Sequence, residues 1–117
     1  MEDKLNYEEQ KIINYLQRWH IGKDNAITFK SLSIALNIPK RELRNIVAHL
    51  VAEHKQLIAS TSSEGYFWIQ NQSEYEHARA ELISRIRKLN TRLDGLDTGW
   101  SNANAGQQFL FDESEAI

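Results

Sequence analysis

Apolar residues recur along this chain with two different periods. In the first segment, Ile12, Ile13, Leu16 and Trp19 fall on the inner side of a helix over about residues 7–20. Asn6 and Glu9 ahead of it have the spacing of a capping box, in which each side chain accepts the backbone N–H of the other. A shorter stripe, Leu32, Ala35 and Leu36, follows Thr28, whose hydroxyl suits an N-cap, and closes near Asn37. Ile38 then sits in a turn, and Pro39 fits the first position of a helix over 39–54, where its missing N–H costs nothing. Leu43, Val47 and Leu50, with Ile46 and Val51 at the margins, form that helix's core face. The period then shortens. Residues 57–61 and 66–70 are β-favouring runs joined through Ser62-Ser63-Glu64-Gly65, whose glycine can take a positive φ, so a hairpin is expected. Ser73 and Glu76 offer a second capping box. Beyond it, Tyr75, Ala78, Leu82, Ile86, Leu89 and Leu93 restore the helical period and predict a helix over 73–93, about 30 Å long.

The polar faces carry the candidate chemistry. Opposite its core stripe, the 39–54 helix presents Lys40, Arg41, Arg44, Asn45 and Ala48. Cations neutralise phosphates, and the planar forks of Arg and Asn pair with guanine and adenine edges, while a small Ala lets a helix sit close to a groove floor. At the hairpin tip, Ser62 and Ser63 can approach a phosphate and donate without bulk, although Glu64 between them and Gly65 repels it. Leu82, Ile86, Leu89 and Leu93 form a seam that packs either on the chain's own first helix or on a second copy in a homodimer. From Asp94 onward, Gly95, Gly99, Ser101, Asn102, Asn104 and Gly106 read as a flexible polar linker. Trp100 interrupts it, and an apolar cluster in Gln107-Gln108-Phe109-Leu110-Phe111 ends it before the acidic terminus. The expected organisation is a folded domain over 1–72, a C-terminal helix over 73–93 for packing or dimerisation, and a flexible acidic tail over 94–117 with a docking peptide at 107–111.

Residues 27–38, the following Pro39-Lys40-Arg41-Glu42-Leu43-Arg44 and the 58–67 hairpin together resemble a large group of winged helix-turn-helix domains. Many of these belong to bacteriophages, prophages and other bacterial mobile elements. With the preceding helix the resemblance covers about half the chain. It implies a mostly α fold with a small β-hairpin wing, extended here by a long C-terminal helix and tail, and double-stranded DNA as the partner. The tail resembles the pentapeptide through which bacterial replication and repair proteins bind the β sliding clamp. That resemblance assigns polar anchoring to Gln107 and filling of an apolar pocket to Leu110 and Phe111. Gln108 stands where the family favours Leu, and Phe109 where it favours Ser or Asp.

Charge sharpens this division. The formal net charge is −2, yet all 14 Lys and Arg and only 11 of the 16 Asp and Glu fall in residues 1–93, which leaves +3 there and −5 beyond. A mildly basic body carrying an acidic tail suits modest affinity for nucleic acid, reinforced by a dimer or a tethering partner. The chain has no cysteine, which removes disulfides and thiolate zinc sites. No apolar run approaches the length of a membrane span, and the charged start lacks an apolar signal-peptide core, so a cytoplasmic protein in a bacterial cell is expected, with no membrane partner.

Enzymatic readings find little. His20, His49, His54 and His77 show no HExxH or paired metal-ligand spacing, and the phosphate-binding glycine loops and nucleophile elbow are missing from the sequence. The expectation is therefore no enzyme, no cofactor and no metal. Three functions stay open. The chain acts in DNA replication or its control with a clamp-docking tail, or it is a transcription regulator of the same fold, or it binds the clamp or another host factor without binding DNA.

Overall fold

The computed structural model describes residues 4–116, with side chains described as far as Ala105. Its elements are α1 (Tyr7–Trp19), a single 3-10 turn (Lys23–Asn25), α2 (Phe29–Leu36), α3 (Lys40–Ala52), β1 (Ile58–Thr61), β2 (Gly65–Trp68) and α4 (Gln72–Ala116). The fold is mostly helical with one antiparallel hairpin. It divides into a first unit reaching to Ala80 and a second starting at Glu81.

Local chemistry places the first three helices. Asn6 Oδ1 accepts from Glu9 N at 2.8 Å while Glu9 Oε1 accepts from Asn6 N at 2.9 Å, so the capping box at α1 forms. Thr28 Oγ1 accepts from Ser31 N at 3.1 Å and starts α2. Asn37 ends α2 in the left-handed region, at φ 55, where Asn is tolerated because its short polar side chain bonds locally. Pro39 is the cap rather than the first residue of α3, and the helix runs from Lys40. A cation anchors the other end of α2, with Lys11 Nζ of α1 donating to Leu36 O at 2.7 Å.

The core joins Ile12, Ile13 and Leu16 of α1 to Leu32 and Leu36 of α2, Ile38 of the turn, Leu43, Val47 and Leu50 of α3, and Ile58 and Tyr66 of the hairpin. Leu16, Leu32, Leu43 and Leu50 are fully buried. Cutting any one of them to Ala costs about 2–5 kcal/mol. Two expected core positions lie outside it. Trp19 is 57% exposed because α1 ends there, and its ring instead lies under the Arg18 guanidinium at 4.9 Å. Ala35 is exposed on the outer side of the short α2.

The hairpin pairs Ile58 with Trp68, Ala59 with Phe67, Ser60 with Tyr66 and Thr61 with Gly65. The other edge of β2 is covered by the loop between α1 and α2. Ile27 and Tyr66 exchange backbone hydrogen bonds of 2.9 and 2.8 Å, Gly22 N donates to Trp68 O, and Trp68 N donates to His20 O. Gly65 is required twice over. Its φ is +104, and a Cβ there would lie 2.3 Å from Ile27 O.

The last helix departs from expectation at both ends. Its cap is Asn71, whose Oδ1 accepts from Glu74 N at 2.9 Å, and not the Ser73 and Glu76 pair. Glu74 then turns its buried carboxylate back, with Oε2 accepting from Lys23 N at 2.8 Å and Oε1 from Gln70 N at 3.0 Å. The backbone N–H of Lys23, with that of Gln70 behind it, holds the Glu74 carboxyl below the usual carboxylate range. At the far end, α4 does not stop near Leu93 but continues for 45 residues in all, through the segment expected to be a flexible linker. Each glycine weakens a helix by about 1 kcal/mol without ending it, and the chain's single proline is Pro39. The composition of 94–106 masked a period that carries on through it. Counting from Leu82, the apolar residues Ile86, Leu89, Leu93, Leu96 and Trp100 follow at alternating steps of four and three.

Candidate nucleic-acid interface

α3 separates its two faces cleanly. Leu43, Val47 and Leu50 are sealed in the core, whereas Lys40, Arg41, Arg44, Asn45 and Ala48 are all exposed. The five residues expected to meet nucleic acid therefore share one solvent face. Pro39 makes no side-chain cap bond to the first turn. The N–H groups of that turn thus lack a capping acceptor beside Lys40 and Arg41, a setting that favours anions.

Arg44 is positioned by more than its own helix. Its guanidinium lies 4.3 Å from the centre of the Phe29 ring of α2, and Phe29 in turn meets the buried Tyr66 of β2 edge on at 5.9 Å. Stacking leaves the in-plane N–H donors of the guanidinium available for a bidentate acceptor while limiting the rotamers that must be frozen on binding. The sequence carried no local signal for this shelf, since Phe29 and Arg44 come together only when α2 packs on α3.

The hairpin tip is less free than the sequence implied. Ser62 and Ser63 are exposed, but Glu64 is drawn inward. Thr61 Oγ1 donates to Glu64 Oε1 at 2.6 Å and accepts from Glu64 N at 3.1 Å, and His77 Nε2 of α4 lies 3.4 Å from the same carboxylate. The Thr61 hydroxyl first, and the Ser63 hydroxyl after it, hold the Glu64 carboxyl below its ordinary value. Ser63 thus spends its donor on Glu64, which leaves Ser62 as the better placed of the two serines for an outside acceptor.

Three further features complete the map. A shallow trough of about 490 Å³ runs beside α1, lined by Tyr7, Lys11, Tyr15, Arg18 and Trp19 with the end of α2. In the second unit, Leu82, Ile86, Leu89 and Leu93 are 50 to 57% exposed, and Leu96 and Trp100 are 71% and 69% exposed. The expected docking residues Gln107, Leu110 and Phe111 have side chains outside the described residues. The fold also gathers Glu9, His49 and His54, which no spacing in the sequence announced.

These features define a mostly helical protein with a basic, exposed helix set between a core and a hairpin. Compared with known protein families, curated proteins and solved structures, the chain finds no match.

Proposed function

We propose that the first unit is a winged helix-turn-helix that binds double-stranded DNA. In this reading α3 enters the major groove, β1 and β2 form the wing, and the tail docks on the bacterial sliding clamp through Gln107, Leu110 and Phe111. The protein then acts in the replication of a phage or mobile element, or in its control. The observation that carries the reading is the solvent face of α3, where Lys40, Arg41, Arg44, Asn45 and Ala48 stand opposite a sealed core stripe. Lys40 and Arg41 supply phosphate contacts, and the shelved Arg44 with Asn45 reads base edges. The test is a titration of labelled duplex with the full chain and with a chain ending at Gly106, each with and without bacterial clamp. Clamp binding lost on truncation, with duplex binding kept, supports both modules. Duplex binding without any clamp binding removes the tail from the proposal.

A transcription regulator of the same fold is the second reading, and the exposed repeat on α4 favours it. A stripe confined to alternating steps of four and three is the narrow seam of a coiled coil rather than the broad face of a helix that joins a globular core. With Leu82, Leu89 and Leu96 at d and Ile86, Leu93 and Trp100 at a, Arg92 falls at g and Asp97 at the following e position. In a parallel pair of this chain, g of one copy meets that e of the other, so Arg92 faces an acid. In an antiparallel pair centred on the seam, Arg92 faces Arg92. The second copy is therefore taken to be parallel, giving one assembly two DNA-binding units, as operators with paired half-sites require.

A further inference from the structure

The two oxygens of Glu9 are used differently. Oε1 completes the capping box of α1, accepting from Asn6 N at 2.9 Å. Oε2 has no such partner, and it lies 3.8 Å from His49 Nε2 and 3.9 Å from His54 Nε2. Both gaps are too long for hydrogen bonds. The ligand atoms of the three residues all fall within 4.8 Å of one another, and the two imidazole rings stand at 75° with centroids 5.2 Å apart. A buried carboxylate oxygen thus faces two ring nitrogens, all three being donors of the kind metals accept.

The dimensions fit a cation held among them. With metal–nitrogen and metal–oxygen bonds of about 2.0–2.2 Å, donor atoms around one ion stand about 3.3–3.7 Å apart for tetrahedral or trigonal geometry. The observed 3.8 and 3.9 Å need a contraction of only a few tenths of an ångström. Burial supplies the rest. The side chains of Glu9 and His54 are 9% and 10% exposed, which shields the charge, whereas that of His49 is 52% exposed and leaves an entry path. Two imidazoles with one carboxylate select borderline transition ions over Mg²⁺ and Ca²⁺, which prefer sites made of oxygen.

We propose that Glu9, His49 and His54 form a site for a zinc-type divalent ion, with Glu9 Oε2, His49 Nε2 and His54 Nε2 as protein ligands and water in the remaining position. The site is independent of the DNA reading. It ties the first turn of α1 to the last turn of α3 and the residue just past its cap, so an ion there braces the helix that carries Lys40, Arg41 and Arg44. Sequence inspection passed over it because Glu9 lies 40 residues ahead of His49, and the two histidines lie five apart rather than at the three or four that share a helix face.

The experiment uses the full chain without a histidine tag, stripped with chelator and desalted, and titrated with ZnCl2 against a chromophoric zinc indicator. The expected result is saturable uptake of one ion per chain in the micromolar range or tighter, with a matching rise in Tm and no competition from Mg²⁺. His49→Ala changes a half-exposed residue, and Glu9→Gln keeps the oxygen that caps α1. Circular dichroism is expected to show both variants folded, with zinc affinity at least tenfold weaker. Co²⁺ replacing zinc reports the coordination through its d–d absorption. Absence of saturable uptake, or uptake equal in wild type, His49→Ala and Glu9→Gln, overturns the site.

Discussion

Arg41 and Arg44 give the sharpest test of the proposed DNA face. Both side chains are exposed, and neither is in the core cluster, so their loss leaves folding intact. If each neutralises one phosphate, replacing both with Ala lowers the slope of log K against log salt by about 1.8 per protomer. Across a fourfold range, from about 50 to about 200 mM salt, that slope change alone narrows the fall in affinity by about tenfold. Arg44→Lys separates charge from geometry. It keeps the cation but removes the planar fork and weakens the stack on Phe29, 4.3 Å away. If Arg44 reads a base edge, the loss is about 1–3 kcal/mol, five- to 150-fold in Kd, confined to specific sequence and with an unchanged salt slope. The assay is fluorescence anisotropy on labelled duplex over a salt series, using specific and scrambled sequence. An Arg41→Ala, Arg44→Ala chain with wild-type affinity and slope would falsify the assignment of α3 as the DNA face.

Two further outcomes bear on the scaffold. Leu89→Asp or Leu96→Asp in the α4 seam is expected to turn a dimer into a monomer in sedimentation equilibrium without lowering the Tm of the first unit, and a wild-type chain that stays monomeric at high concentration removes the paired reading. Glu74→Ala strands the N–H groups of Lys23 and Gln70, and is expected to cost about 2–4 kcal/mol in urea unfolding. Because the folded-state pKa of Glu74 lies below its unfolded value, its contribution is full above the unfolded value and is lost as pH falls through the folded one. Glu74→Gln therefore flattens the acid limb of the stability profile, and an acid limb identical to wild type refutes the role given to this carboxylate.

The first unit was readable where punctuation and period agreed. Asn6 with Glu9, Thr28, Asn37, Pro39 and Gly65 each mark a boundary for a local backbone reason, and the apolar stripes between them have the matching periods. Reading failed where composition and period disagreed. Gly95, Gly99 and the asparagines around them outweighed Leu96 and Trp100, which continue the repeat from Leu82. It failed also where chemistry is assembled across the chain. The shelf of Phe29 under Arg44, the return of Glu74 to Lys23, and the meeting of Glu9 with His49 and His54 all depend on packing between elements. No window of neighbouring residues encodes such contacts.

The bonding of β2 along both edges has a consequence for how the chain folds. One edge belongs to β1, its neighbour in sequence, but the other is closed by residues 20–27, some forty positions earlier. A hairpin forms in microseconds, whereas closure against a distant segment first pays the loop entropy of everything between. What lies between is α2 and α3 themselves. The helix pair is threaded inside the longest loop the first unit must close, so its final packing waits on β2 reaching Ile27. A fragment ending after α3 would lack that closure, and the smallest piece able to reach the native arrangement runs at least through Trp68.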